Sequence, residues 1–241
     1  MSAYDYLAHF YDQLTADVDY TALADHYERL ITRDGRAPEL VLDLACGTGR
    51  LTRLLAERGH QMIGVDASAQ MLSQAVEQGG DILYLQQSMG SLDLYGTVDA
   101  AVCSLDGMNY LSPTELETAL GRIFLFLAPG SVFAFDLNTP EKLMGQDGAI
   151  FCDEREDVLC LWRCAFDSAE RACYYDFDLF TPKGDLWMRR SETHVEYAYT
   201  RAEIQAALEK AGFGESSITE DPENMPPGTK AGRMFISAVK P

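Results

Sequence analysis

The stretch Val41-Leu42-Asp43-Leu44-Ala45-Cys46-Gly47-Thr48-Gly49-Arg50 constrains this chain more than any other. An apolar run carrying one carboxylate enters a turn with two glycines. The turn opens at once into a helical pattern with Leu51, Leu54 and Leu55 on one face. Strand, glycine turn and helix follow in that order. Glycines suit such a turn because a Cβ would hold the backbone away from a ligand, and because glycine adopts positive φ without steric cost. Backbone can therefore touch a bound molecule at this point.

The next apolar run, Gln61-Met62-Ile63-Gly64-Val65-Asp66, ends in a carboxylate 23 positions beyond Asp43. An acidic residue about 20 positions downstream, at the end of the second strand, is placed to accept from ribose hydroxyls. The unit is thus read as a nucleoside-binding βαβ. It lacks the third glycine of G-x-G-x-x-G, since Leu51-Thr52-Arg53 follow Arg50, and it lacks the Lys of a phosphate-cradling G-x-x-x-x-G-K-[ST] loop.

With these features, Asp43-Leu44-Ala45-Cys46-Gly47-Thr48-Gly49 resembles the first motif of class I S-adenosylmethionine-dependent methyltransferases. Ala45 stands where Gly is frequent, a mild departure provided φ is negative there. The resemblance covers about Tyr11 to Val239, is most specific from Val41 to Asp66, and is generic beyond Leu137. It implies S-adenosylmethionine as cofactor. It also implies an α/β, Rossmann-like methyltransferase fold with a mostly parallel seven-stranded sheet, a C-terminal antiparallel hairpin and a small inserted antiparallel sheet. The expected organisation is an N-terminal lid and helix (1–36), a cofactor-binding core (37–145 and 199–241) and an inserted β subdomain (146–198) over the acceptor pocket.

The cofactor contacts implied by the resemblance are Asp43, Ala45, Cys46, Gly47, Gly49 and Asp66. Ala67 and Met71 follow them beside the adenine. Ser88 stands where relatives carry Asp, and Met89 is expected to offer its backbone N–H. Ser104 and Leu105 come from the loop after the fourth strand. The segment Tyr4-Asp5-Tyr6-Leu7-Ala8-His9-Phe10-Tyr11 resembles the Tyr-Asp lid of small-molecule methyltransferases, with Tyr11 the contact to expect. Plain packing of these aromatics on the sheet edge is the other reading.

Periodicity supplies the remaining elements. An amphipathic helix is expected from Ala22 to Ile31, and a second after Ser68 as N-cap. Strands are expected at Ile82–Gln86, Val98–Cys103 and Ser131–Leu137. Ser112-Pro113-Thr114-Glu115 and Thr200-Arg201-Ala202-Glu203 are capping boxes, and Gly212 closes the second of those helices. From about Ile150 to Tyr199 the pattern changes to short alternating runs at Leu159–Cys164, Tyr174–Phe180, Trp187–Arg190 and Thr193–Tyr199, with a turn at Pro182-Lys183-Gly184-Asp185. Two final strands, Glu215–Thr219 and Met234–Val239, flank a loop at 222–228 and should pair antiparallel.

A net charge of −19 opposes binding to a phosphate backbone. No apolar run approaches the ~20 residues of a membrane span, and Met1-Ser2-Ala3-Tyr4-Asp5 has no signal-peptide character. A cytoplasmic enzyme with a small-molecule methyl acceptor is expected, without nucleic-acid or membrane partner, and a homodimer is compatible. The six cysteines include no C-x-x-C and read as buried small hydrophobes, with no metal site.

Of the four histidines only His194 sits in a suggestive pattern. Alternation puts Arg190, Glu192, His194 and Glu196 on one strand face. Such a face is solvated by default, yet an Arg-x-Glu-x-His strand resembles those roofing the acceptor pocket of small-molecule N-methyltransferases. The catalytic candidates are therefore His194, Tyr11 and Asn109, with Asp106 and Tyr110 in the same loop as Asn109. The function expected is methyl transfer to a small-molecule nitrogen or oxygen. The alternatives are an NAD-dependent oxidoreductase and a non-catalytic nucleoside-binding domain of the same fold.

Overall fold

Strand β1 (Leu40–Leu44) sends Val41 to one side and Leu42 and Leu44 to the other, and both sides are buried. That double burial explains why its sequence is nearly all apolar. In the computed structural model, which describes Tyr4, residues 6–220, Pro226 and residues 232–241, β1 lies centrally in a seven-stranded sheet. Its companions are β2 (Gln61–Asp66), β3 (Leu83–Gln86), β4 (Val98–Cys103), β5 (Leu127–Asn138), β10 (Ser216–Thr219) and β11 (Arg233–Val239). The order is β10-β11-β5-β4-β1-β2-β3, with β11 antiparallel to both neighbours and the other pairs parallel. The loop at 222–228 lies outside the described residues apart from Pro226, as do residues 1–3 and Asp5 of the N-terminal segment.

Helices cover both faces. On one, α2 (Tyr20–Ile31) and α3 (Arg50–Glu57) bring Leu23, Tyr27, Ile31, Leu51 and Leu55 against Val41, Ala100, Val102 and Ala134. On the other, α5 (Pro113–Phe126) and α7 (Arg201–Ala211) set Leu116, Leu120, Ile123, Ile204 and Leu208 against Leu42, Leu44, Phe133 and Phe135. Both capping boxes form, and Gly212 closes α7 at φ 103°. Asp19 accepts from the Ala22 N–H at 2.9 Å, so α2 starts two residues before the amphipathic pattern does.

One tyrosine crowds two glycines of this frame, and the second of them, Gly49, also has φ 73°. Tyr84 on β3 lies opposite Gly64, where a Cβ would come within 2.5 Å of its ring, and a Cβ on Gly49 would lie 2.4 Å from its hydroxyl. Tyr84 thus packs under the glycine turn.

The inserted sheet has four strands, β6 (Ile150–Glu154), β7 (Leu159–Asp167), β8 (Ala172–Lys183) and β9 (Leu186–Tyr197), all antiparallel. The runs Trp187–Arg190 and Thr193–Tyr199 are not separate strands. They fuse into β9, because Ser191 continues the ladder opposite Asp178 and donates to its carboxylate at 2.5 Å. A short helix α6 (Pro140–Gly145) leads into this sheet. The N-terminal segment, a 3-10 turn over Leu7–Phe10 followed by α1 (Tyr11–Leu14), packs Leu7 onto Val158, Cys160 and Leu179 of the inserted layer. Cys103, Cys160, Cys164 and Cys173 are buried as expected, whereas Cys152 is exposed and Cys46 half-buried.

His26 of α2 packs on the Phe235 ring, and burial lowers its pKa to about 4. The folded chain refuses a proton that the unfolded chain accepts near pH 6.5, so this residue's contribution is full above that value and is lost as pH falls toward 4. Asp43 and Glu196, pushed up by burial to about 7 and about 8, act with opposite sign. They disfavour folding as pH rises above about 4. The stability difference between the wild type and His26→Gln therefore isolates the histidine. It should shrink from pH 7 to 5 by up to ~1.4 kcal/mol per pH unit, measured by urea unfolding. A pH-independent difference would refute the assignment.

Candidate active site

The glycine turn is held by backbone and by one side chain. Cys46 donates to the Val65 carbonyl at 3.1 Å, and Gly47 N–H donates to Asp66 Oδ2 at 2.9 Å. Asp66 Oδ1 accepts from Ser68 N–H at 2.8 Å, so both carboxylate oxygens are fixed at the mouth of the turn. Burial raises the Asp66 pKa, and these amides oppose that rise. Gly47 has φ 56°, and the nearest atom to a Cβ built there is the Met71 sulfur at 4.0 Å. Its backbone is open for a ligand to approach.

Ala45 does not have the negative φ that would make its departure from Gly mild. Its φ is 51°, in the left-handed region where an L residue costs about 1–2 kcal/mol. Ala45→Gly should therefore raise stability by ~0.5–1 kcal/mol after the entropy of the unfolded chain is charged against it. A thermal midpoint lowered by the change would refute this.

A cavity of about 230 Å³ opens over the turn. Of the residues expected to hold the cofactor, Tyr11, Ala45, Cys46, Gly47, Asp66, Ala67, Met71, Ser88, Met89, Ser104 and Leu105 line it. Asp43 and Gly49 do not. Asp43 is 1% exposed beneath the turn, accepts from the Thr52 hydroxyl at 2.6 Å and leaves Oδ1 unpartnered. Gly49 serves the packing of Tyr84 instead. The Ser88 hydroxyl lies 2.8 Å from that of Ser91.

Sequence reasoning passed over several walls of the cavity. Tyr4 and Tyr20 join Tyr11, and Arg50 lies on the Tyr20 ring at 4.0 Å. The run of tyrosines was the available signal. Gln87 also lines the cavity, and nothing in its pattern marked it. The N-terminal segment is latched to the turn by the Thr48 hydroxyl, which donates to Asp12 at 2.6 Å.

The loop after β4 reaches the cavity through strained backbone. Leu105 and Asp106 have φ of 54° and 59°. Both of their N–H groups donate to the buried Asp136 carboxylate, at 2.8 and 3.1 Å, and the Tyr27 hydroxyl donates to it at 2.5 Å. Arg233 bridges Asp136 and Asp106, lying 2.6 Å from the latter.

Asn109 does not face the cavity. Its side-chain amide donates to the Asn138 and Tyr197 carbonyls at 3.3 and 2.9 Å, and its oxygen accepts from Asn138 N–H at 2.9 Å. With those groups spent on holding the loop to β5 and β9, it has a structural task in place of the catalytic one expected. Its neighbour Tyr110 lines the cavity instead.

His194 is not solvated, nor does it line the cavity. It is 2% exposed, with Nδ1 3.2 Å from the Tyr110 hydroxyl and Nε2 3.1 Å from Glu192 Oε1. Glu192 and Glu196 on the same face are buried too. The face that looked solvated is covered by the N-terminal segment, whose Tyr6 N–H donates to Glu192 Oε2 at 3.1 Å. Glu196 turns to Asn138, accepting from its amide at 2.7 Å.

Residues 41–130 match the family model described as a methyltransferase domain. Over 243 residues the chain is 30% identical to YqeM of Bacillus subtilis (strain 168), which bears a methyltransferase name, and 98% of this chain and 97% of that protein are covered. An S-adenosylmethionine-dependent methyltransferase from Clostridium acetobutylicum superposes with a TM-score of 0.81 at 26% identity, covering 99% of both chains. KedS8, a sugar N-methyltransferase from Streptoalloteichus, superposes at 0.82 with 24% identity, covering 100% of this chain and 96% of that one, and supports the fold alone. An open glycine backbone, a fixed carboxylate and the apolar walls of Met71, Met89 and Leu105 suit a nucleoside bearing an apolar-flanked sulfonium. On this fold and this relationship, the chain belongs to the class I S-adenosylmethionine-dependent methyltransferases and is an enzyme of that family.

Proposed function

We propose that the chain methylates a nitrogen or oxygen atom of a small molecule held in the cavity against Tyr4, Tyr11 and Tyr110, with the inserted sheet behind them. The observation that carries this reading is the clustering of Tyr4, Tyr11 and Tyr110 in one cavity wall, backed by β9. Hydroxyls in an enclosed aromatic wall suit a compact polar acceptor better than an extended polymer. The net charge of −19 also disfavours a nucleic-acid substrate. That KedS8 is a sugar N-methyltransferase, and that CalS10 from Micromonospora echinaspora methylates an amino pentose, is consistent with it.

When bound, S-adenosylmethionine supplies a sulfonium methyl, which is already an activated electrophile. In this reading Asp66 would accept from the ribose hydroxyls, and Met71, Ser88 and Met89 would hold the adenine. The chain's remaining work is to align the acceptor and exclude water, worth ~7–11 kcal/mol in favourable cases. In this reading region 146–198 backs the pocket, and the described residues of 1–36 that precede α2 serve as its lid.

The test is a panel of small amines and hydroxylated metabolites incubated with methyl-labelled cofactor. Label should appear in a small organic product. Label transferred to RNA or protein, with none in the panel, would overturn the reading.

A further inference from the structure

We propose that Tyr4, Tyr110 and His194 form, in that order, a proton relay that drains the acceptor's nucleophilic atom, and that Glu192 sets its direction. The proposal rests on the small-molecule reading above and assigns the acid–base work that reading leaves open.

The geometry is a continuous chain. The Tyr4 and Tyr110 hydroxyls are 2.7 Å apart, Tyr110 Oη is 3.2 Å from His194 Nδ1, and His194 Nε2 is 3.1 Å from Glu192 Oε1. An ionised carboxylate only accepts hydrogen bonds, and Glu192 already accepts from Tyr6 N–H on its other oxygen. His194 must then donate from Nε2, which leaves Nδ1 as an acceptor. Tyr110 donates to Nδ1 and accepts from Tyr4. A lone pair on the Tyr4 oxygen is left for a donor in the cavity, which Tyr4 and Tyr110 both line. The His194 ring is clamped between Tyr4 and Phe177, at centroid distances of 4.4 and 4.8 Å. Glu196 is two residues farther along the same face but is turned to Asn138, so of the two carboxylates only Glu192 meets the ring.

The step balances. As the acceptor's X–CH₃ bond forms, the S–CH₃ bond breaks with its electron pair retained on sulfur, and the X–H bond breaks with its pair retained on X. That proton passes to Tyr4 Oη, the Tyr4 proton to Tyr110 Oη, and the Tyr110 proton to His194 Nδ1. The positive charge lost from the sulfonium reappears on an imidazolium beside Glu192. Burial holds both tyrosine hydroxyls well above their ordinary pKa, so they pass the proton on and do not store it as tyrosinate. Tyr4 is the group that touches the acceptor, whereas His194 and Glu192 are positioning residues that act through the tyrosines. The acceptor class is accordingly a primary or secondary amine or a hydroxyl, since a tertiary amine has no proton to give.

Glu192→Gln tests the direction while keeping shape and an acceptor for Tyr6 N–H. Its amide can donate to Nε2 and so force the proton onto Nδ1. Long-range ¹H–¹⁵N spectra of protein labelled in its four histidines read the tautomer at neutral pH with no acceptor present. The His194 resonance is assigned by its absence from His194→Gln. The wild type should carry the proton on Nε2 and Glu192→Gln on Nδ1. A wild-type ring protonated at Nδ1, or identical spectra in the two proteins, overturns the relay. With an acceptor from the panel, Tyr110→Phe and Glu192→Gln should each lower kcat about 100-fold with cofactor affinity retained, and the wild type should show a solvent isotope effect on kcat that Tyr110→Phe abolishes. Full turnover in either variant also overturns it. Failure of the whole panel instead removes the small-molecule reading, and the tautomer remains readable independently.

Discussion

Asp66→Ala is expected to abolish S-adenosylmethionine binding while leaving a folded protein. Each charge-assisted hydrogen bond from a ligand hydroxyl to this carboxylate is worth about 1.5–3 kcal/mol, and two of them amount to a factor of at least ~100 in affinity. A second loss compounds the first. Gly47 N–H and Ser68 N–H both donate to this side chain, so the variant also releases the turn that approaches the ligand. In a thermal-shift measurement at 100 times Kd, the cofactor should stabilise the wild type by ~2.7 kcal/mol, or ~5–10 °C for a chain of this size. The variant should show no shift, and its own stability should fall by the cost of two amides without acceptors, ~1–3 kcal/mol for each that water does not reach. Asp66→Asn separates the two effects, because it keeps an acceptor without the charge. An unchanged affinity in Asp66→Ala would place the nucleoside elsewhere.

Arg233→Ala is expected to cost about 3–5 kcal/mol of folding stability, the scale on which removing one partner leaves buried charge uncompensated. The carboxylates left behind are Asp136, which is fully buried, and Asp106. Asp136 also holds Leu105 and Asp106 in their left-handed conformations, and Leu105 lines the cavity. The loss of stability should therefore be accompanied by weaker cofactor binding. Urea unfolding measures the first and calorimetric titration the second. Adding Asp136→Asn to Arg233→Met should restore part of the stability, because the stranded charge goes with it. A cost below about 1 kcal/mol for Arg233→Ala would show that water reaches this cluster and that the ion pairs matter little.

The sequence made the glycine-turn side of the cavity legible because backbone geometry there demands particular residues at fixed spacing. Gly47, Asp66 and the helix caps at Ser68, Ser112 and Thr200 are of this kind. Ala45 misled for a related reason, since its residue type fits either sign of φ and the identity alone does not reveal the strain. Gly49 was visible as a glycine and its φ of 73° accounts for it, but the Tyr84 hydroxyl that crowds it comes from two strands away in the βαβ order, where no local pattern connects the two. The side of the cavity toward the inserted sheet was harder still. Glu192, His194 and Glu196 alternate correctly along β9, but whether that face meets water depends on the N-terminal segment folding back over it. Asn109 could be placed in its loop, though not aimed, because its partners come from β5 and β9. Contacts between distant segments decided each of these cases, and periodicity carries no information about them.

The position of β11 in the sheet ties one wall of the cavity to a distant part of the chain. This strand, which holds Arg233, lies between β5 and β10. Without it β5 would have an open edge and Asp136 would lack its cation. The loop at Leu105 and Asp106, whose N–H groups Asp136 holds, would then lose its anchor. The shape of the cavity wall at Leu105 therefore depends on a strand far along the sequence from the glycine turn.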